Sequence, residues 1–214
     1  MGQTGLILVG AVLFLNGLVT LGIVPGRSAA VLNLFVGAAQ VVLPTIVLAQ
    51  AAGDPTIVSA TWPSYLFGFT YLYYGLGLVF GLDPRGLGWF SSFVAAVAFV
   101  QGAVSIATDP AFAVVWFVWA AMWTLFFLLL GLGLETPARF TGWFLVWLGI
   151  PSTVVPAVLQ LAGTWPTDAS GGLVALVTAV VLTLVAAAFT RSRVARDDGE
   201  RVTAPDTVAL SLEG

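Results

Sequence analysis

The chain has 214 residues, 59% of them hydrophobic and only 8% charged, with a formal net charge of −3. An ordinary soluble domain carries roughly 25% charged residues, so composition excludes a soluble globular fold. There is no Cys and no His, which removes disulfides, thiolate chemistry, the commonest metal ligand and the usual neutral-pH base. Seven scattered arginines, with no lysine, build no face for nucleic acid.

The charges divide the chain into long neutral runs, each long enough for the roughly 20 apolar residues that cross a bilayer core. The first helix is expected over 4–24. No basic segment precedes it and its apolar stretch is long, so it is not read as a cleavable signal. Its segment "LILVGAVLFLNG" places Leu6, Val9, Leu13 and Asn16 on one face, because steps of three and four residues return to the same side of a helix. A second helix is expected over 28–51 and a third over 62–82, where "LFGFTYLYYG" aligns Phe67, Tyr71 and Tyr74 by the same arithmetic. A fourth follows over 86–107. The fifth, over 110–134, carries "WFVWAAMW", with Trp116, Trp119 and Trp123 along one side. An interfacial aromatic belt does not account for this row. Seven residues of helix cover about 10 Å, so Trp123 falls near mid-membrane. For the Phe and Tyr stripe helix packing is an equal reading, and for Asn16 an interhelical hydrogen bond is. A sixth helix is expected over 138–161. A seventh, over 172–190, is nearly featureless Val, Leu, Ala and Thr and reads as a lipid-facing addition. The polar residues 191–214 read as a mostly disordered tail.

Three turns share a pattern: "LGIVPGR", "FGLDPR" and "LGLETPAR", each with a Gly, then a Pro and an Arg. An aromatic follows eight residues after each Arg (Phe35, Phe93, Trp147). The expected fold is therefore all-α and polytopic. Three repeated helical hairpins (4–51, 62–107 and 110–161) give six transmembrane helices, and a seventh stands outside them. Arg27, Arg85, Arg139 and the arginines from Arg191 onward all fall on one side, opposite Asp54, Asp109 and Asp168. Positive charge stays cytoplasmic, so the N-terminus is expected outside and the C-terminus in the cytoplasm.

No charged residue lies well inside an expected span, which argues against ion-coupled pumping and against enzymatic chemistry. No cofactor and no metal are expected. The polar and aromatic stripes are the candidate substrate pathway: Leu6, Val9, Leu13, Asn16, Phe67, Tyr71, Tyr74, Trp116, Trp119 and Trp123.

In their order, "VGAVLFLNG", "NLFVG" from Asn33, "LFGFTYLY" from Leu66, "GLGWFSSFVA" from Gly86 and the W-x-x-W-x-x-x-W of the fifth helix resemble the bacterial amide/urea channel family, AmiS/UreI. The match runs from about residue 5 to Pro156 and implies a passive inner-membrane channel for urea or short-chain amides with a pore in each protomer; with the seventh helix added, the channel domain is expected over 1–190. The resemblance also implies a homo-oligomer, six protomers round a lipid-filled centre, and a functional link to a cytosolic amidase or urease. It assigns the lining to Val9, Leu13, Phe67, Tyr71, Trp116, Trp119 and Trp123. Leu148 stands where some members carry a buried Glu, and the seventh helix falls outside the match. Two other classes stay open on the residues alone: a non-transport sensor or assembly subunit, and an ion-coupled importer of small solutes.

Overall fold

The computed structural model describes residues 2–203, with side chains up to Ser192. All the regular structure among them is helical: α1 (Gly2–Thr20), α2 (Gly26–Gln50), α3 (Pro55–Thr61), α4 (Ser64–Phe80), α5 (Arg85–Ser105), α6 (Pro110–Phe126), α7 (Ala138–Leu161) and α8 (Ala169–Thr203). A single π-helical turn, Phe127–Gly131, continues α6. Residues 204–214, the end of the expected tail, lie outside the described residues, and α8 runs on past the expected end at 190.

Helix starts follow from local chemistry. Asp54, Asp109 and Asp168 each accept a backbone N–H from the first turn of the helix that follows, at 2.7 Å from Thr56, 2.9 Å from Phe112 and 2.9 Å from Gly171. An N-cap carboxylate satisfies donors that the helix leaves open, and Pro follows two of the three at a position where no N–H is needed. At the opposite end, Gly22, Gly81 and Gly133 of the three similar turns take φ of +72°, +67° and +67°. That conformation costs Gly nothing and strains any residue with a Cβ.

Among the described residues, six helices are long and apolar enough to cross a membrane: α1, α2, α5, α6 with its π turn, α7, and α8 over Ala169–Ser192. The sequence predicts seven. The difference lies in the third, expected over 62–82: Trp62 and Pro63 form the break between α3 and α4, and Gly81 ends α4 at a φ of +67°, so the helix runs only from Ser64 to Phe80. The 17 residues of α4 cover about 25 Å at ~1.5 Å each.

Neighbours in space close a ring in the order α1, α2, α4, α5, α6, α7 and back to α1. Packing around it alternates. Extensive interfaces join α7 to α1, α2 to α4 and α5 to α6, and thinner ones lie between. The tightest partners are thus not the hairpin mates expected from sequence but the helices on either side of the hairpins. Small residues explain it. A methyl group on Gly17 would fall 2.9 Å from the Gly142 carbonyl, and one on Gly37 would fall 2.7 Å from the Leu72 N. Gly10 and Gly17, Gly68 and Gly75, and Gly142 and Gly149 each recur two turns apart, so whole helix faces approach closely. Helix α8 packs on α6 and α7 from outside the ring, and its Leu173, Val174, Val177 and Leu184 are exposed.

Candidate functional site

The three stripes read from the sequence meet inside the ring. From α6 come Trp116, Trp119 and Trp123, at 8%, 2% and 1% exposure. Trp123 is the least exposed of the three. Trp116 and Trp119 pack edge to face, with centroids 4.9 Å apart at 82°. Phe67 from α4 touches all three rings, at 6.1, 5.2 and 5.2 Å. Such contacts add to plain burial and fix the rings' orientation.

A buried indole also needs an acceptor for its N–H. Trp119 Nε1 donates to Ser152 Oγ of α7 at 3.2 Å, and Trp123 Nε1 to Thr70 Oγ1 of α4 at 3.4 Å. Both hydroxyls in turn donate to carbonyls of their own helices, Ser152 to Gly149 and Thr70 to Leu66. Sequence reading missed Thr70 and Ser152. The signal was there: hydroxyl residues in the middle of membrane-length runs, with no cap to form.

On the side of the aspartate caps a cavity of about 670 Å³ opens. Phe67, Trp116 and Trp119 meet it, Leu6 flanks it, and Gln40 and Gln160 reach it from α2 and α7. On the far side of the aromatic cluster lies a pocket of about 20 Å³ bounded by Leu13, Asn16, Thr70, Tyr71, Tyr74 and Trp123. That is room for about one water molecule. Leu13, Tyr71 and Trp123, at 1%, 2% and 1% exposure, leave no open bore between the two spaces. Val9 is buried in the surrounding core and borders neither. No Asp, Glu, Lys or Arg borders the inner pocket. The Tyr71 hydroxyl is enclosed there without a protein partner.

Asn16 makes the interhelical hydrogen bond weighed for it. It borders the inner pocket, and it forms a reciprocal pair with Asn33 of α2, donating at 2.9 Å and accepting at 2.8 Å. Asn33 also donates to the Ala29 carbonyl. The pair bridges α1 to α2, across one of the thin interfaces.

Charge at the rims is held locally. Three side-chain hydrogen bonds and a backbone one from Arg85 hold the Asp83 carboxyl down at about 2. The Gly171 N–H and the Ser170 hydroxyl hold that of Asp168 below its ordinary value. A depressed carboxyl stabilises the fold above its ordinary value and loses that contribution only as the pH falls through the depressed one. Both windows lie below pH 5, and ordinary carboxyls titrate near pH 4. With no His in the chain, solute flux is expected to stay level between pH 5 and 8. A several-fold rise on external acidification, measured in proteoliposomes, would contradict this.

The AmiS/UreI family transporter model matches residues 1–164. A protein of Rhodococcus erythropolis named as the transporter AmiS2 is 53% identical over 193 residues, covering 88% of this chain and 94% of that one. A protein of Mycolicibacterium smegmatis named as an amidate substrates transporter is 45% identical, over 85% of this chain and 84% of that one. The crystal structure of the urea channel from Helicobacter pylori superposes with a TM-score of 0.69 at 31% identity, covering 78% of this chain and 100% of that one. A helical ring closed on aromatic stripes, a matched segment through residue 164 and relatives covered nearly end to end agree: the chain is a multi-pass membrane protein and belongs to the AmiS/UreI transporter family.

Proposed function

We propose that the protein is a passive channel for short-chain amides, with urea as the chemically closest second solute. The carrying observation is the pair of cavities separated by an uncharged aromatic constriction. Amides are flat, neutral and hydrated, and moving one into an apolar site without partners costs on the order of 1–7 kcal/mol. Ring faces of Trp116, Trp119 and Trp123 contact the flat sides, while the unpartnered Tyr71 hydroxyl offers both a donor and an acceptor to the edge. The absence of fixed charge at the narrowing leaves a hydrated ion nothing to exchange its water for. The names of the relatives support the solute class.

In this reading the pathway runs past Leu6, Val9, Leu13, Asn16, Phe67, Tyr71, Tyr74 and the three tryptophans. The vestibule faces out of the cell and the C-terminus lies in the cytoplasm, where an amidase or urease keeps the gradient steep. Apolar side chains exposed on the ring's outer side, Phe93 and Phe99 among them, face lipid or further copies in a homohexamer of the inner membrane.

Uptake of labelled acetamide into proteoliposomes, with and without proton and sodium gradients, tests the reading. Flux independent of both gradients is expected. Gradient-dependent accumulation would make the protein a coupled importer, and no uptake at all would make it a sensor or assembly subunit.

A further inference from the structure

The connection leading to the expected outer addition touches residues that border the vestibule. Trp165 sits in the connection between α7 and α8, one residue past the segment matched by the family. Its Nε1 donates to Asp109 Oδ2 at 2.9 Å. The other oxygen of the same carboxylate, Oδ1, accepts the backbone N–H of Phe112 at 2.9 Å. The Trp165 ring then meets the Phe112 ring edge to face, with centroids 5.9 Å apart at 80°. Phe112 in turn packs on Trp116 at 6.1 Å and on Trp119 at 5.8 Å, again edge to face. Asp109 and Phe112 both border the outer cavity.

One carboxylate therefore holds Phe112 twice, by its backbone directly and by its ring through Trp165. We infer that Asp109 and Trp165 form a latch that positions Phe112 against the outer tryptophans and so sets the size limit for solutes entering the constriction. This rests on the channel reading. Both are positioning residues: neither is among the constriction side chains, and their effect passes through Phe112. The latch also gives the α7–α8 segment a part in selectivity. Ser152, the acceptor for Trp119, borders an apolar cavity of about 160 Å³ between α6, α7 and α8, so the second outer ring is also backed from that side.

Asp109 does two jobs, and one substitution separates them. Asp109→Asn keeps an oxygen for the Phe112 N–H, and Asn is a good N-cap. Its other atom is an NH₂ group that faces the Trp165 N–H, donor against donor. Trp165→Phe keeps a ring against Phe112 and removes the N–H. The assay is the flux ratio of a bulky to a small amide, butyramide to acetamide, in proteoliposomes carrying the full chain, normalised to folded protein. Each single variant is expected to raise the ratio at least two-fold while acetamide flux persists, and the double variant no further than the larger single. A wild-type ratio in Asp109→Asn would reduce Asp109 to a helix cap and overturn the latch, as would additive effects in the double variant. General loosening would lower both fluxes together and leave the ratio alone, which also counts against it. Acetamide flux in the wild type with unmoved variants sinks the latch alone. No flux in the wild type would sink the channel reading and the latch with it.

Discussion

Trp123→Ala admits bulkier amides: the butyramide-to-acetamide flux ratio should rise several-fold over wild type, in protein that still folds. Trp123 is 1% exposed and borders the inner pocket with Leu13 and Tyr71. Its ring lies 5.2 Å from Phe67 and 6.4 Å from Phe126. Cutting it to a methyl joins the inner pocket to the space below the vestibule. A core Trp lost to Ala costs roughly 3–5 kcal/mol, yet this site limits the damage. Thr70 keeps its bond to the Leu66 carbonyl when the indole goes, so no buried hydroxyl is left unpaired. Trp123→Phe, which retains a ring and drops only a 3.4 Å hydrogen bond, should move the ratio much less. An unchanged ratio in well-folded Trp123→Ala would show that this ring does not line the path.

Gly88→Ala is expected to abolish folded protein. A methyl built at Gly88 lands on the backbone of Gly131 and Leu130, at the contact between α5 and the π turn. Overpacking costs typically 1–3 kcal/mol when side chains can rotate away; here the obstacle is main chain, and the helices must separate. Leu87 and Leu130 border the inner pocket, so even a surviving fraction would carry a distorted site. Gly77→Ala is the matched control. It lies within α4 with nothing within 4 Å of the added methyl, and Ala in a helix should help slightly, by about 0.4–1 kcal/mol. Size-exclusion profiles and thermal unfolding in detergent would compare them. Gly88→Ala eluting and melting like Gly77→Ala would refute the close-packing argument.

Periodicity exposed the parts of the site that repeat along one helix. Trp116, Trp119 and Trp123 lie on one face whatever packs against them, and so do Phe67 and Tyr71. The three arginine turns were legible from Gly and Pro alone, and their Gly22, Gly81 and Gly133 take the left-handed conformation. What periodicity could not carry was any relation between helices. The acceptors Ser152 and Thr70 sit 33 and 53 residues from the indoles they serve, and no local pattern links such distances. Trp165 went unremarked in the sequence because its partners, Asp109 and Phe112, belong to the start of another helix. Val9 shares the face of Leu6 and Leu13, yet borders neither cavity, because neighbouring core side chains cover it. The third helix came out shorter than expected because hydropathy runs straight through Trp62 and Pro63, whereas the backbone breaks there.

The alternation of thick and thin interfaces makes the ring a barrel of three staves, α7 with α1, α2 with α4, and α5 with α6. Each stave carries one of the stripes that meet inside: Leu13 on the first, Phe67 and Tyr71 on the second, the tryptophans on the third. The seams are lightly sealed, by Asn16 with Asn33 between the first two and by Trp119 with Ser152 between the third and the first. The seams, and not the glycine-lined joints inside each stave, are therefore where the ring is held most weakly, so separating two staves would cost less than splitting one.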